Sequence, residues 1–271
     1  MRVIPLSVWD LGIAALLVFA LAGTAWREHL AVSRSLLWSA LRMVIQLALV
    51  ALVLEAVFAL SRWYWVVLIG LGMLAIAARE VHARQRRPLA GWWGYGVGAG
   101  AMFVASFATA ALALLAMVQP DPWYRPQYGI PLLGMLLGNT MNGVALGLER
   151  LTEGAWRQRG AIEARLMLGE PWQVAIAPLR RESMRSGMIP VINAMAAAGV
   201  VSLPGMMTGQ ILAGSPPAEA VRYQILIFLL IMTGTGFGTL LANRLAARRL
   251  FDGRSRLRLD RLRETTIREV R

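Results

Sequence analysis

The stretch WWGYGVGAGAMFVASFATAALALLAMV, from Trp92 to Val118, has no charged residue along its whole length. A hydrocarbon core about 30 Å thick takes roughly 20 apolar residues of helix, so this run is long enough to cross a bilayer at a tilt. Six more apolar runs flank it. Val8–Trp26, Ser39–Leu60 and Tyr64–Ala78 precede it, and Ile130–Leu148, Met188–Ala213 and Val221–Leu245 follow. The sequence therefore predicts an all-α polytopic membrane helix bundle of about seven transmembrane helices. Composition agrees: the chain is 57% hydrophobic and 16% charged, against about 25% charged in soluble domains.

The charges between the runs set an orientation. Arg27, Arg34 and Arg42 flank the first gap, and Arg79, Arg84, Arg86 and Arg87 fill the third. The segment 149–187 holds Arg150, Arg157, Arg159, Arg165, Arg180, Arg181 and Arg185, and the end of the chain from Arg244 is richer still. The intervening gaps hold Arg62, Arg125 and Arg222 singly. Positive loops face the cytoplasm, so the expectation is N-out, C-in. The first run does not fit a cleaved signal peptide, because Arg2 alone precedes it while Arg27 and Arg34 follow. The net charge of +13 reads as membrane topology and gives no reason to expect nucleic acid.

Residue types exclude several chemistries. There is no Cys, hence no disulfide and no thiolate metal site. There is no Lys, and a phosphate-binding loop needs one, so this chain has no means of binding and hydrolysing ATP. His29 and His82 fall in cytoplasmic gaps, and no His and carboxylate cluster has metal-ligand spacing. Nor does any nucleophile and base constellation suggest a membrane-embedded enzyme.

Within the spans, Gly pairs four apart (Gly94/Gly98, Gly134/Gly138, Gly143/Gly147, Gly234/Gly238) predict close helix packing. The sixth span is interrupted by Pro204-Gly205, which would free backbone carbonyls at membrane depth. Around it and on the fifth span stand Asn139, Asn142, Asn193, Met206, Met207 and Gln210. Their neutral oxygen, nitrogen and thioether donors would hold a cation weakly and release it, so they are the expected substrate path. Glu55 is the most deeply placed carboxylate and a further path candidate, unless it marks the outer interface beside Arg62.

Segment 149–187 is the one sizeable polar piece between spans. A short helix around Glu163-Ala164 should end at Gly169, and a second should run from Pro171 towards Pro178. This resembles the coupling loop of ABC-transporter permeases, with the pattern Glu-Ala-Ala, three residues, Gly. Glu163, Ala164 and Gly169 match, and Arg165 stands where the second Ala is expected.

Three longer stretches carry a more specific resemblance: Gly134–Asn142, Leu203–Gly214 and Ala220–Ile225. They resemble the FetB (YbbM) type of ABC-transporter permease, described as an iron exporter, with plant relatives linked to aluminium tolerance. The likeness is densest from Gly129 to Phe251. It implies a permease domain over residues 1–251, with coupling loop 149–187 and a basic cytoplasmic tail 252–271 outside the recognised part. It also implies a bacterial inner membrane location and a homodimer working with a separate ABC ATPase subunit, which would bind ATP and Mg. The alternatives are a gradient-driven transporter or channel acting alone, or export of a non-metal small molecule.

Overall fold

The computed structural model describes residues 7–30, 32–60 and 62–263, and every regular element among them is helical. Helix α1 (Val8–Arg27) opens on a capping box: the Asp10 amide donates to the Ser7 hydroxyl while the Asp10 carboxylate accepts from the Ser7 amide. Helices α2 (Ser33–Leu60) and α3 (Trp63–Ala83) follow. Helix α4 (Trp92–Met102) runs without interruption into a π-helical turn at Phe103–Phe107, α5 (Ala108–Leu112) and a second π-helical turn at Ala113–Val118. Then come α6 (Pro126–Arg157), α7 (Arg159–Met167), α8 (Trp172–Ala175), α9 (Ala177–Ala197), α10 (Gly205–Leu212) and α11 (Pro217–Arg249).

Six of the helical rods are long and apolar enough to cross a membrane, Trp92–Val118 counting as one. The sixth expected span is present in two pieces, α9 and α10, joined by residues 198–204. The break lies upstream of Pro204-Gly205. Ala198 leaves the helical region, Gly199 adopts φ +82, and Pro204, at φ −62 and ψ 141, starts α10. Two carbonyls of this joint are bonded. The Pro204 carbonyl accepts from the Thr208 amide (3.0 Å) and hydroxyl (3.1 Å), and the Ser202 carbonyl accepts from the Gly199 amide at 2.9 Å.

Helices α3, α4, α6, α9 and α11 form the bundle, with α6 at its centre. Where α6, α9 and α11 cross, side chains give way to backbone. A Cβ added to Gly187 would stand 2.6 Å from the Gly143 carbonyl oxygen and 2.6 Å from the Thr239 methyl. Small residues allow this approach, which in lipid replaces the hydrophobic drive of a soluble core. Peripheral α1 and α2 touch the bundle lightly. Only 11% and 6% of their apolar windows are buried by the chain, leaving the rest for the bilayer.

One end of the bundle collects charge. Arg42–Glu80 (2.6 Å), Arg87–Glu153 (3.2 Å) and Arg150–Glu182 pair there, and the Arg86 amide donates to Glu149 at 2.8 Å. Residues 252–263, the described part of the basic tail, fold back over this end. The Arg263 amide donates to the Pro88 carbonyl at 2.9 Å, and the Ala90 amide donates to the Arg261 carbonyl at 2.7 Å. Leu257, Leu259 and Leu262 pack onto the core cluster that holds Val81, Leu89 and Phe251. The Arg261 guanidinium donates to the Arg249 and Phe251 carbonyls (2.8 and 3.2 Å), closing the open end of α11.

Candidate coupling element and transport path

At the charged end α6 passes directly into α7, and α7 stops in a Schellman motif. The Gly169 amide donates to the Leu166 carbonyl (3.0 Å) and the Glu170 amide to the Arg165 carbonyl (3.1 Å), with Gly169 at φ +86. That left-handed backbone is why glycine stands there. Arg165, the departure from the signature, has a defined task. It pairs with Glu170 at 2.9 Å and donates to the Ala175 carbonyl at 3.3 Å, which ties α7 to α8 across the turn. Pro171 caps α8, and Pro178 sits in the first turn of α9.

The inner side of this element is anchored. Ile162, Ala175 and Ile176 are buried in the main core cluster, and the Trp172 ring stacks on Phe251. Its outer side is bare. Glu163, Ala164, Gly169, Pro171 and Pro178 are all exposed, and Met167 and Leu168 at the tip are each 83% exposed. Two adjacent apolar side chains held out on a braced turn are the kind of feature that anchors a docked protein.

The expected path residues divide into groups. Met206 and Gln210, on α10, face a cleft of about 210 Å³ between α10, α6 and α11, lined also by Gln127, Tyr128, Met135 and Tyr223. The Gln210 amide oxygen is buried there without a partner. Met207 is half-buried beside it. Asn139, Asn142 and Asn193 are exposed on the outer surface of the bundle and do not reach this cleft. The Asn139 amide donates to the Met135 carbonyl of its own helix at 2.8 Å, and the Asn142 amide oxygen accepts from Arg84 at 2.8 Å. Glu55 is exposed on α2, apart from both groups.

A polar line through the bundle interior went unread in the sequence. On α11, Thr235, Thr239 and Asn243 follow one another every four residues and lie against Gly143 and Gly147 of α6, while Thr140 of α6 lies against Gly234 and Gly238 of α11. All four polar side chains are buried. The hydroxyls of Thr140, Thr235 and Thr239, that of Ser106 in the first π-helical turn, and both amide atoms of Asn243 have no partner. Buried polar groups are ordinarily paired. Here three helices meet on unlocked hydroxyls and glycines, and among the described residues none of these hydroxyls ties one helix to another at the crossing. The four-residue spacing was the available signal. Among the described residues, no group of three or more His, Asp or Glu side chains could hold a metal ion.

Comparison with known proteins agrees with this architecture. The sequence profile of the uncharacterised protein family UPF0014 matches residues 8–251. The UPF0014 membrane protein slr1647 of Synechocystis is 42% identical over 84% of this chain and 86% of its own length. The probable iron export permease protein FetB of Escherichia coli is 30% identical over 94% of this chain and 96% of its own. The protein ALUMINUM SENSITIVE 3 of Arabidopsis thaliana is 30% identical over 79% and 77%. No solved structure matches the chain. With a profile match over nearly all of the helical bundle, and relatives of this identity spanning most of both chains, this multi-pass membrane protein belongs to the UPF0014 family.

Proposed function

We propose that this chain is the membrane permease subunit of an ABC-type exporter in a bacterial inner membrane, N-out and C-in, driven by a separate ATPase. The observation that carries the reading is the braced element 159–176. It is continuous with α6 through Arg157, stacked on the end of α11 through Trp172, and bare at Met167 and Leu168. A push on its tip would reach two transmembrane helices at once, which is what an external motor requires. ATP and Mg would be bound by the partner ATPase, since this chain lacks the lysine of a phosphate-binding loop.

A metal ion is the cargo we favour, iron first, in line with the printed name of the Escherichia coli relative. The chain's own support is chemical. The cleft at Gln210 and the surface amides of α6 and α9 offer neutral donors, which replace part of a hydration shell without trapping the ion. The test is isolation of the tagged chain with a co-expressed ABC ATPase subunit in mild detergent. The wild type should retain the ATPase, and Gly169→Val, which strains the φ +86 turn, should lose it while still inserting in the membrane. Equal retention by both would count against Glu163–Pro178 as the docking element.

A further inference from the structure

At the end of the bundle opposite its charged end, α10 closes a cleft of about 210 Å³ against α6 and α11. The second π-helical turn adds a further wall through Leu114 and Val118, and π-helical turns are frequent at functional sites. Tyr128 and Tyr223 stand exposed at the rim, and Met135 and Met206 are half-buried along the sides. No charged side chain is among the described residues that line the cleft. Its polar groups include two acceptors in need of a donor. The Gln210 amide oxygen is buried with no hydrogen-bond partner among the described residues. Pro131 on the α6 wall has no N–H, so the Gln127 carbonyl one turn back lacks its α-helical donor. A buried acceptor left unpaired is costly, which makes the Gln210 oxygen a point where a ligand gains.

The lining decides what fits. A lipid tail would fill the space and leave the Gln210 oxygen unpaired. A charged ligand would give up its hydration with no opposite charge to meet it. Water needs several polar partners, and a wall that is mostly aliphatic, aromatic and thioether supplies few. We infer that the cleft is a binding site for a small uncharged aromatic molecule carrying one hydroxyl or N–H donor, a phenol- or indole-like compound. The donor goes to the Gln210 oxygen. The ring packs among the Met135 and Met206 thioethers and the Tyr128 and Tyr223 rings, contacts that favour a flat aromatic body. The volume lies below the roughly 300–1,000 Å³ of sites for drug-sized ligands, which limits the body to one ring or two fused ones. Binding does not rest on the permease reading. Its consequence for transport does: a bound ring would stand in the way of an ion passing Gln210.

The test is calorimetric titration of the purified full chain in detergent with indole and with indene, which has nearly the same shape and no donor. Indole should bind saturably, one molecule per chain, above a detergent blank, and indene about tenfold more weakly. Gln210→Leu should weaken indole by about the same tenfold and leave indene unchanged. Its melting temperature should not fall, because the lost acceptor had no partner. Met206→Trp, which fills the cleft, should abolish binding of both, and indole should then no longer raise the melting temperature. Indole uptake no greater than the blank would overturn the inference. So would equal affinity of wild type for the two probes, or undiminished indole affinity in Gln210→Leu. The titration needs no ATP, metal or ATPase, so its failure leaves the permease reading standing, and failure of ATPase retention leaves the site standing.

Discussion

The Trp172 ring lies stacked on the Phe251 ring, centroids 5.2 Å apart and planes 25° apart. Trp172 begins the short helix after the Gly169 turn, and Phe251 follows directly on the cap of the last transmembrane helix. This contact is a second join between the projecting element and the bundle, besides its continuity with α6. An aromatic pair of this geometry contributes about 0.5–1.5 kcal/mol beyond its buried area. Trp172→Ala should therefore lower thermal stability modestly and reduce coupled ATP turnover several-fold, with Trp172→Phe retaining most of it. Full coupling in the alanine variant would show that motion enters through α6 alone.

The crossing of α6, α9 and α11 depends on Gly187, where a Cβ would meet the Gly143 carbonyl and the Thr239 methyl, each at 2.6 Å. Backbone cannot yield as a flexible side chain does. Gly187→Ala should cost about 1–3 kcal/mol and Gly187→Val more, read as a lower melting temperature in detergent. Gly72→Ala, with nothing within 4 Å, is the matched control and should be neutral. A neutral Gly187→Ala would mean the helices do not approach this closely.

Asn243 is 3% exposed and neither atom of its amide has a partner. Replacing it removes a desolvation cost and breaks no bond. Asn243→Leu is therefore expected to leave stability unchanged or raise it by up to about 1–3 kcal/mol. Thermal denaturation with and without the substitution checks this. A loss of more than about 1 kcal/mol would show that the amide is bonded after all.

Much of this fold was legible in the sequence, and the misses have physical causes. Five spans and the last one announced themselves as long apolar runs with two charges or fewer, because the bilayer sets a minimum length. Gly169 and Pro171 fixed the turn between α7 and α8 because few other residues fit those backbone angles. The amides at 139, 142 and 193 were readable as unusual, but the face each presents depends on where α3, α9 and α11 pack around α6. Residues 252–263 read as a basic tail because arginines dominate. The alternating Leu257 and Leu259, which lay the segment onto the core, are a short signal. The π-helical turns in Trp92–Val118 leave no mark in an apolar run.

That folded-back segment carries the chain's clearest pH response. Asp260 is held down to about 2 by hydrogen bonds from the Arg258 guanidinium, at 2.8 Å each. The Asp252 carboxylate is lowered too, first by the Arg256 backbone amide. Folding lowers both groups, so their contribution is complete above the ordinary carboxylate range near 3.9 and is lost as the pH falls towards about 2. A spin label on R263C should stay immobile from pH 7 to 5 and loosen between pH 4 and 2, less steeply with Asp260→Asn. Mobility that does not change over that lower range would contradict the described contacts.

The central claim is that an external ATPase drives this permease through the turn at Gly169. The direct measurement is ATP hydrolysis and metal flux in proteoliposomes holding the chain with its co-purified ATPase, using iron(II) and aluminium(III) in parallel. The account predicts ATP-dependent flux of at least one metal, metal-stimulated hydrolysis, and loss of both in Gly169→Val while basal hydrolysis persists. Equal flux from the chain alone, without ATPase or ATP, would contradict it.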